Sequence, residues 1–260
     1  MTPHRYVFVG GLHRSGTSLV ARIVGGLPGV ASIRGADVPE DEGAYLQGAI
    51  PHTARHGAPM HFAADPEQHL IEGCRWDRLE VRERMEADWA PWFGPGPWRV
   101  EKSPVNLVRT RLLQQLFPRA QFVLVLRHPQ AVAAAVAKWV DRPAGALVDH
   151  WIEAHRVVAG DLPFLHAALV LRYEDLVARP DAVRRALAAF LSVPPEGAAE
   201  PVRDGNADYD LCAPLSAAQA GAIADWGYAP GGRVLGPPPA LAVRHPLARV
   251  RAAVGDALGG

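Results

Sequence analysis

Apolar residues along this chain fall into two patterns. Tyr6–Val9, Phe122–Leu126 and Ala168–Leu171 are short runs without a polar interruption. Such runs predict strands buried on both faces, as central parallel strands are. Trp98-Arg-Val100 reads as a shorter strand. Elsewhere the spacing is helical, at Ser18–Val24, at about 131–140 and at about 181–191. A further helix is predicted from Ser103-Pro104, where serine can cap and proline fits the first turn. Behind them Val108, Leu112 and Leu116 recur every four positions, so one face packs inward. Strands alternating with helices imply right-handed crossovers and a parallel sheet covered on both faces, an α/β fold.

Two stretches break the alternation. From about residue 30 to 97 the chain is rich in Gly, Pro, His, Trp and acidic residues and has weak periodicity. It predicts a helical and looped insertion over the carboxyl edge of the sheet, where α/β proteins bind ligands. Beyond Pro230 come Gly231-Gly232, Pro237 to Pro239 and a short basic amphipathic segment, so 231–260 reads as a surface tail. With 260 residues the chain is long enough for one α/β core, and it reads as a single domain.

Composition narrows the partners. Basic and acidic residues number 27 each, so the formal charge is zero and a surface that wraps DNA or RNA is not expected. A local basic pocket is still compatible with that balance. Cys74 and Cys212 lie far apart and give neither a metal-ligand spacing nor a disulfide framework. Met1 leads into the first strand without a leader pattern, and no apolar run approaches the roughly 18–20 residues of a membrane span. The expectation is a cytoplasmic protein without a membrane or nucleic-acid partner.

The sharpest chemical signal is Gly11-Leu-His-Arg-Ser-Gly16-Thr17-Ser18. It fits the phosphate-loop pattern GxxxxGK[ST] at every fixed position except the lysine, and it lies between a predicted strand and helix. Backbone N–H groups of such a loop, here through Ser15 and Gly16, form an anion cradle with the helix N-terminus. The missing lysine would reach the β- and γ-phosphates of a nucleoside triphosphate; Thr17 stands in its place and the cation is Arg14. A shorter anionic chain suits that arrangement, such as 3′-phosphoadenosine-5′-phosphosulfate (PAPS), which has one phosphate bridged to one sulfate. Arg14 and the hydroxyls of Thr17 and Ser18 can hold its oxygens through charge-assisted hydrogen bonds. Phosphate-loop NTPases also tend to end a buried strand in an aspartate that helps hold Mg²⁺. Here Phe122–Leu126 runs into Arg127-His128-Pro129. An arginine there repels Mg²⁺ and suits a 3′-phosphate.

These segments resemble the PAPS-dependent sulfotransferase family. Gly11 to Leu19 is similar to its 5′-phosphosulfate loop, Val125-Leu-Arg-His-Pro129 to its 3′-phosphate segment, and Leu171-Arg-Tyr-Glu-Asp-Leu-Val177 to its third recurrent segment. Glu101-Lys-Ser-Pro-Val-Asn106 and Pro39-Glu-Asp-Glu-Gly43 resemble stretches of bacterial members of the tyrosylprotein-sulfotransferase-like branch. The likeness covers roughly residues 5–230. One position departs: many members carry a serine eight residues after the 3′-phosphate arginine, and this chain has Ala135. Lys138, one helical turn on, or a residue of Arg203–Tyr209 is the expected substitute.

Sulfuryl transfer asks for in-line positioning, stabilisation of charge on the bridging oxygen and removal of the acceptor's proton, without a metal. Lys102, placed before a predicted helix N-terminus and where the resemblance also puts a lysine, is the candidate for the leaving oxygen, with Arg14 as the second cation. Glu40, Asp41 and Glu42 are the candidate bases. Glu40 and Glu42 are favoured, since a related branch uses a glutamate in this region, and histidines 52, 56, 61 and 69 are alternatives. Trp76, Trp89, Trp92, Phe93 and Trp98 either line an acceptor pocket or form a small core of the insertion. Tyr173 is placed to reach the nucleotide; Glu174 and Asp175 read as structural. The acceptor expected is a small hydroxylated metabolite or carbohydrate. Two other readings stay open: a phosphate-loop small-molecule kinase and a non-catalytic nucleotide-binding protein.

Overall fold

The computed structural model describes residues 4–52, 59–236 and 243–259. His56 and Pro237 to Pro239 lie outside them. Strand β1 (Arg5–Gly11) leads through the glycine loop into α1 (Thr17–Gly25), and β2 (Val30–Ser32) follows. Next come α2 (Gly43–Leu46), α3 (Leu79–Trp89), β3 (Trp98–Lys102) and α4 (Thr110–Leu116). Then β4 (Gln121–Leu126), α5 (Pro129–Val136), α6 (Ala144–Asp161), β5 (Ala168–Arg172), α7 (Tyr173–Ala178) and α8 (Pro180–Leu191) complete the repeating part. The remainder holds α9 (Ala217–Ala224), β6 (Tyr228–Ala229), β7 (Arg233–Val234), β8 (Val243–Arg244) and α10 (Ala248–Gly259).

The main sheet runs β2-β3-β1-β4-β5-β8, parallel except for β8 at one edge. The unbroken apolar runs follow from burial on both faces. Along β1 and β4, Tyr6, Phe8, Phe122, Leu124 and Leu126 enter one core, and Val7, Val9, Val123 and Val125 enter the other. This is the two-residue period of a strand with both sides covered. Residues of α4, α5 and α6 build the first core, and residues of α1, α8 and α10 the second.

Four expectations are revised. Ser103 does not cap a helix: its hydroxyl donates to Glu101 at 2.6 Å and accepts from the Ala44 N–H at 3.0 Å. Pro104–Val108 is a 3-10 turn, and the α-helix begins only at Thr110. The alanine-rich helix stops at Val136, so Lys138 lies in the turn after it. The stretch 30–97 begins as part of the sheet, through β2, and its aromatics belong to the cores. Trp89 is fully buried and packs on Tyr6 and Phe8 at centroid distances of 5.9 and 6.2 Å. Trp76, Trp92 and Phe93 pack against that same core, and Trp98 is buried in the other. Finally, the segment read as a surface tail contributes β8 to the sheet, and α10 seats Val250 and Val254 in the second core. No helix among the described residues is long and apolar enough to cross a membrane.

Candidate active site

Parallel register gathers the carboxyl ends of four strands. Val9 of β1 pairs with Lys102 of β3, Gly11 with Val125 of β4, and Leu126 with Arg172 of β5. The glycine loop, Lys102, Arg127 and Tyr173 therefore stand side by side, each at or just beyond a strand end, where α/β sheets place ligands.

The loop has the backbone of an anion cradle. Gly16 has φ 95°, a conformation open to glycine, and a Cβ there would stand 3.0 Å from the Tyr173 ring. Arg14, with φ 70°, adopts the left-handed region despite its side chain. Its carbonyl is held by Arg127 Nη1 at 2.8 Å. No side chain caps the start of α1, so the first-turn N–H groups stay available to an anion. Ser15 Oγ and Arg127 Nη2 are buried and have no protein partner. Buried donors left unpaired are costly, so both are open to a polar ligand.

Arg127 is more constrained than its sequence position suggests. Its Nε donates to Asn206 Oδ1 at 2.7 Å and its Nη1 to the loop, which leaves only Nη2. Its guanidinium lies over the Tyr173 ring, 4.5 Å from the centroid. The Tyr173 hydroxyl donates to Arg203 O and accepts from the Gly205 N–H, both at 2.8 Å. Tyr173 thus shapes the site with its ring rather than its hydroxyl. Glu174 accepts from His128 N–H at 2.8 Å and from Asn206 Nδ2 at 2.9 Å, and Asp175 pairs with Arg172 at 2.7 Å. Lys138 is exposed and lies 4.7 Å from the Tyr209 ring centroid; Arg14 is exposed beside the Trp139 ring.

The acidic turn resolves into two different environments. Glu40 is exposed and accepts from Ser18 Oγ at 3.0 Å, which also engages that serine. Glu42 is buried, 2.9 Å from Lys102 Nζ, which is buried as well. Burial pushes the Glu42 carboxyl up to about 7 against the opposing pull of Lys102. Asp41 accepts from the Ala36 N–H at 2.9 Å and serves the turn.

What holds Glu42 there was not legible in the sequence. Glu101, 1% exposed, accepts from Gly43 N–H, Ser103 Oγ and Asn106 Nδ2 at 2.9, 2.6 and 2.6 Å. Trp89 Nε1 donates to the Gly43 carbonyl at 2.9 Å. The segment after Glu42 is thereby clamped to the end of β3. The one available signal was a carboxylate beside Val100 in a strand-like run. His13 was likewise missed: it lines the cavity and is lowered to about 4 by burial and by Lys102.

These groups share a cavity of 480 Å³ whose wall includes His13, Arg14, Thr17, Glu42 and Arg127. Of the candidate histidines, the three among the described residues, His52, His61 and His69, lie outside that wall. The His52 ring packs tilted against Tyr45, His61 stacks on His150, and His69 bonds Asp161 at 2.9 Å. Met60 and Tyr45 supply the wall on the insertion side.

Comparison with known proteins bears on this arrangement. Residues 6–196 match the model of the sulfotransferase family. No curated protein matches the chain. Among solved structures, it is similar to the sulfotransferase domain of the olefin synthase from Synechococcus PCC 7002. The TM-score is 0.53 at 17% identity, over 87% of this chain and 96% of that one. It is less similar to sulfotransferase STF9 from Mycobacterium avium, with a TM-score of 0.48 at 16% identity, over 74% of this chain and 64% of that one. At this identity the first likeness supports the fold, a mostly parallel sheet flanked by helices. The sequence match itself runs from β1 past the end of α8 and takes in the glycine loop, Lys102, Arg127 and Tyr173. On that match the chain belongs to the sulfotransferase family.

Proposed function

We propose that the protein moves a sulfuryl group from PAPS to a hydroxyl of a small metabolite or carbohydrate, with residues 1–260 acting as one catalytic unit. The observation that carries this reading is an anion cradle and the buried Glu42 in one cavity wall, with buried Lys102 paired to that glutamate. The residues present fit such a donor. The uncapped start of α1, Ser15 Oγ, Thr17 and Arg14 suit its 5′-phosphosulfate, and the unpartnered Arg127 Nη2 suits its 3′-phosphate. When bound, the donor supplies the sulfuryl group and a phosphate that leaves.

The chain's own residues do the rest. Glu42 takes the acceptor's proton; a base is most effective with its pKa near the working pH, and burial holds this one at about 7. Proton uptake neutralises the carboxylate and leaves the Lys102 ammonium without its counter-charge. The pair thus delivers positive charge when negative charge builds nearby, in a site of low dielectric where it acts strongly. Glu40, exposed and bonded to Ser18, steadies the loop instead.

Calorimetric titration with 3′,5′-adenosine bisphosphate (PAP), AMP and ATP·Mg²⁺ in parallel tests the donor. One hydrogen bond to a charged group contributes about 1.5–3 kcal/mol, so PAP should bind at least about tenfold tighter than AMP, with no Mg²⁺ needed. Equal affinities for PAP and AMP, or preference for ATP·Mg²⁺, would sink the reading.

A further inference from the structure

A second cavity, of 540 Å³, adjoins the first on the side of β2 and β3. Helix α1 forms one wall through Ser18, Ala21 and Arg22, which share a face by their three- and four-residue spacing. Ser32, Ile33 and Arg34, at the end of β2, form the other, and Val100 and Lys102 of β3 lie between. Ser18, Arg22 and Glu40 line both cavities. Lys102 faces this one while its partner Glu42 faces the other. The Glu42–Lys102 couple therefore sits at the junction of the two spaces.

The charges of this second cavity are unevenly spent. Lys102 is compensated by Glu42. Glu40 accepts from Ser18 and Asp41 from the Ala36 N–H. Among the described residues, the Arg22 guanidinium has neither a hydrogen bond nor an ion pair, and that of Arg34 has a single bond, to Ser32 Oγ at 3.3 Å. Neither arginine is ion-paired with Glu40 or Asp41, although all four line the same space. Two guanidinium groups facing one cavity without carboxylate partners form a receptor for an oxyanion, since a planar fork of N–H donors matches its oxygens.

We propose that this cavity is an acceptor subsite: the acceptor carries, besides the hydroxyl presented to Glu42, an oxyanion group that Arg22 and Arg34 grip. The assignment rests on the sulfotransferase reading of the first cavity. It makes the acceptor an acidic molecule rather than a neutral alcohol or sugar.

The test uses 4-hydroxyphenylacetate and its neutral amide as probes, titrated into the intact protein with and without saturating PAP. The acid should bind about tenfold tighter than the amide, the effect of one charge-assisted contact. It should do so equally with PAP in place. In the Arg22→Gln/Arg34→Gln protein, which keeps apolar stems, the preference should vanish while the melting temperature holds, and in Arg34→Gln alone, a residue of the second cavity only, PAP affinity should hold as well. Failure of the acid to bind, the same affinity for acid and amide in wild type, or a preference that survives the double substitution overturns the subsite. Mutual exclusion of acid and PAP also overturns it, by assigning the arginines to the donor. Acid preference intact in a protein that does not bind PAP would overturn the donor reading alone.

Discussion

Glu40 and Glu42 are two residues apart and chemically unlike. One is exposed and holds a serine hydroxyl; the other is buried against Lys102. Sequence brought both forward as candidate bases and could not divide them, because the division is made by Glu101 and Trp89, which clamp Gly43. We expect Glu42→Gln to lower kcat by about 10²–10⁴-fold, the usual worth of a general base, and Glu40→Gln to be mild. The pH profile gives an independent readout. With the folded carboxyl raised to about 7, the rate should climb as pH rises through that value, because the ionised form is the base. A wild-type profile flat between pH 5 and about 8, or a Glu40→Gln enzyme as inactive as Glu42→Gln, would remove Glu42 from that role.

At the scale of elements, the turn Gly205–Asp208 decides where Arg127 points. Asn206 uses both ends of its amide, accepting from Arg127 Nε and donating to Glu174, whose other oxygen accepts from Tyr228 at 3.0 Å. The segment Arg203–Tyr209, raised on sequence as a stand-in for the hydroxyl absent at Ala135, thus acts on the arginine. Asn206→Ala leaves a buried guanidinium nitrogen and a carboxylate short of partners, at a cost of about 1–3 kcal/mol. PAP affinity should fall roughly tenfold while AMP affinity changes little, as read by titration. An unchanged ratio of PAP to AMP affinity would show that Arg127 is placed without Asn206. The same scale explains why elements were easier to read than their ends. Apolar runs mark strands because both faces are covered, but the serine expected to cap a helix is engaged by Glu101 and Ala44 instead.

Across the whole molecule, burial of histidines couples stability to pH. His155 is fully buried against Trp151, with ring centroids 3.8 Å apart, and burial lowers it from 6.5 to about 4. His150 is lowered to about 3, by burial first and then by His61 and His155. A depressed histidine pKa means the unfolded chain binds the proton more readily. The stability it contributes is full above about 6.5 and is lost as pH falls toward about 4. Glu42 and Glu101, raised by burial, act in the opposite sense over part of that range, so the wild-type slope sums opposing contributions. His155→Phe keeps an aromatic ring and removes the titration. Its unfolding free energy should depend on pH less steeply than that of wild type between these limits, by up to about 1.4 kcal/mol per pH unit. Equal slopes by denaturant unfolding would show that His155 titrates alike in both states.

The sequence by itself determined the α/β class, the central strands, the glycine loop without its lysine, and the place of Arg14, Lys102, Arg127 and Tyr173 at one edge of the sheet. Each rests on local spacing or on a residue fixed to a strand end, and parallel pairing carries such residues to one edge whatever else the chain does. Tertiary structure decided which glutamate lies against Lys102, how many nitrogens Arg127 keeps, that the aromatics of 30–97 and the segment after 231 enter the cores, and that Arg22 and Arg34 face one cavity. Those outcomes depend on contacts between residues tens of positions apart, where burial and hydrogen-bond partners come from other elements. Neither periodicity nor motif spacing encodes them.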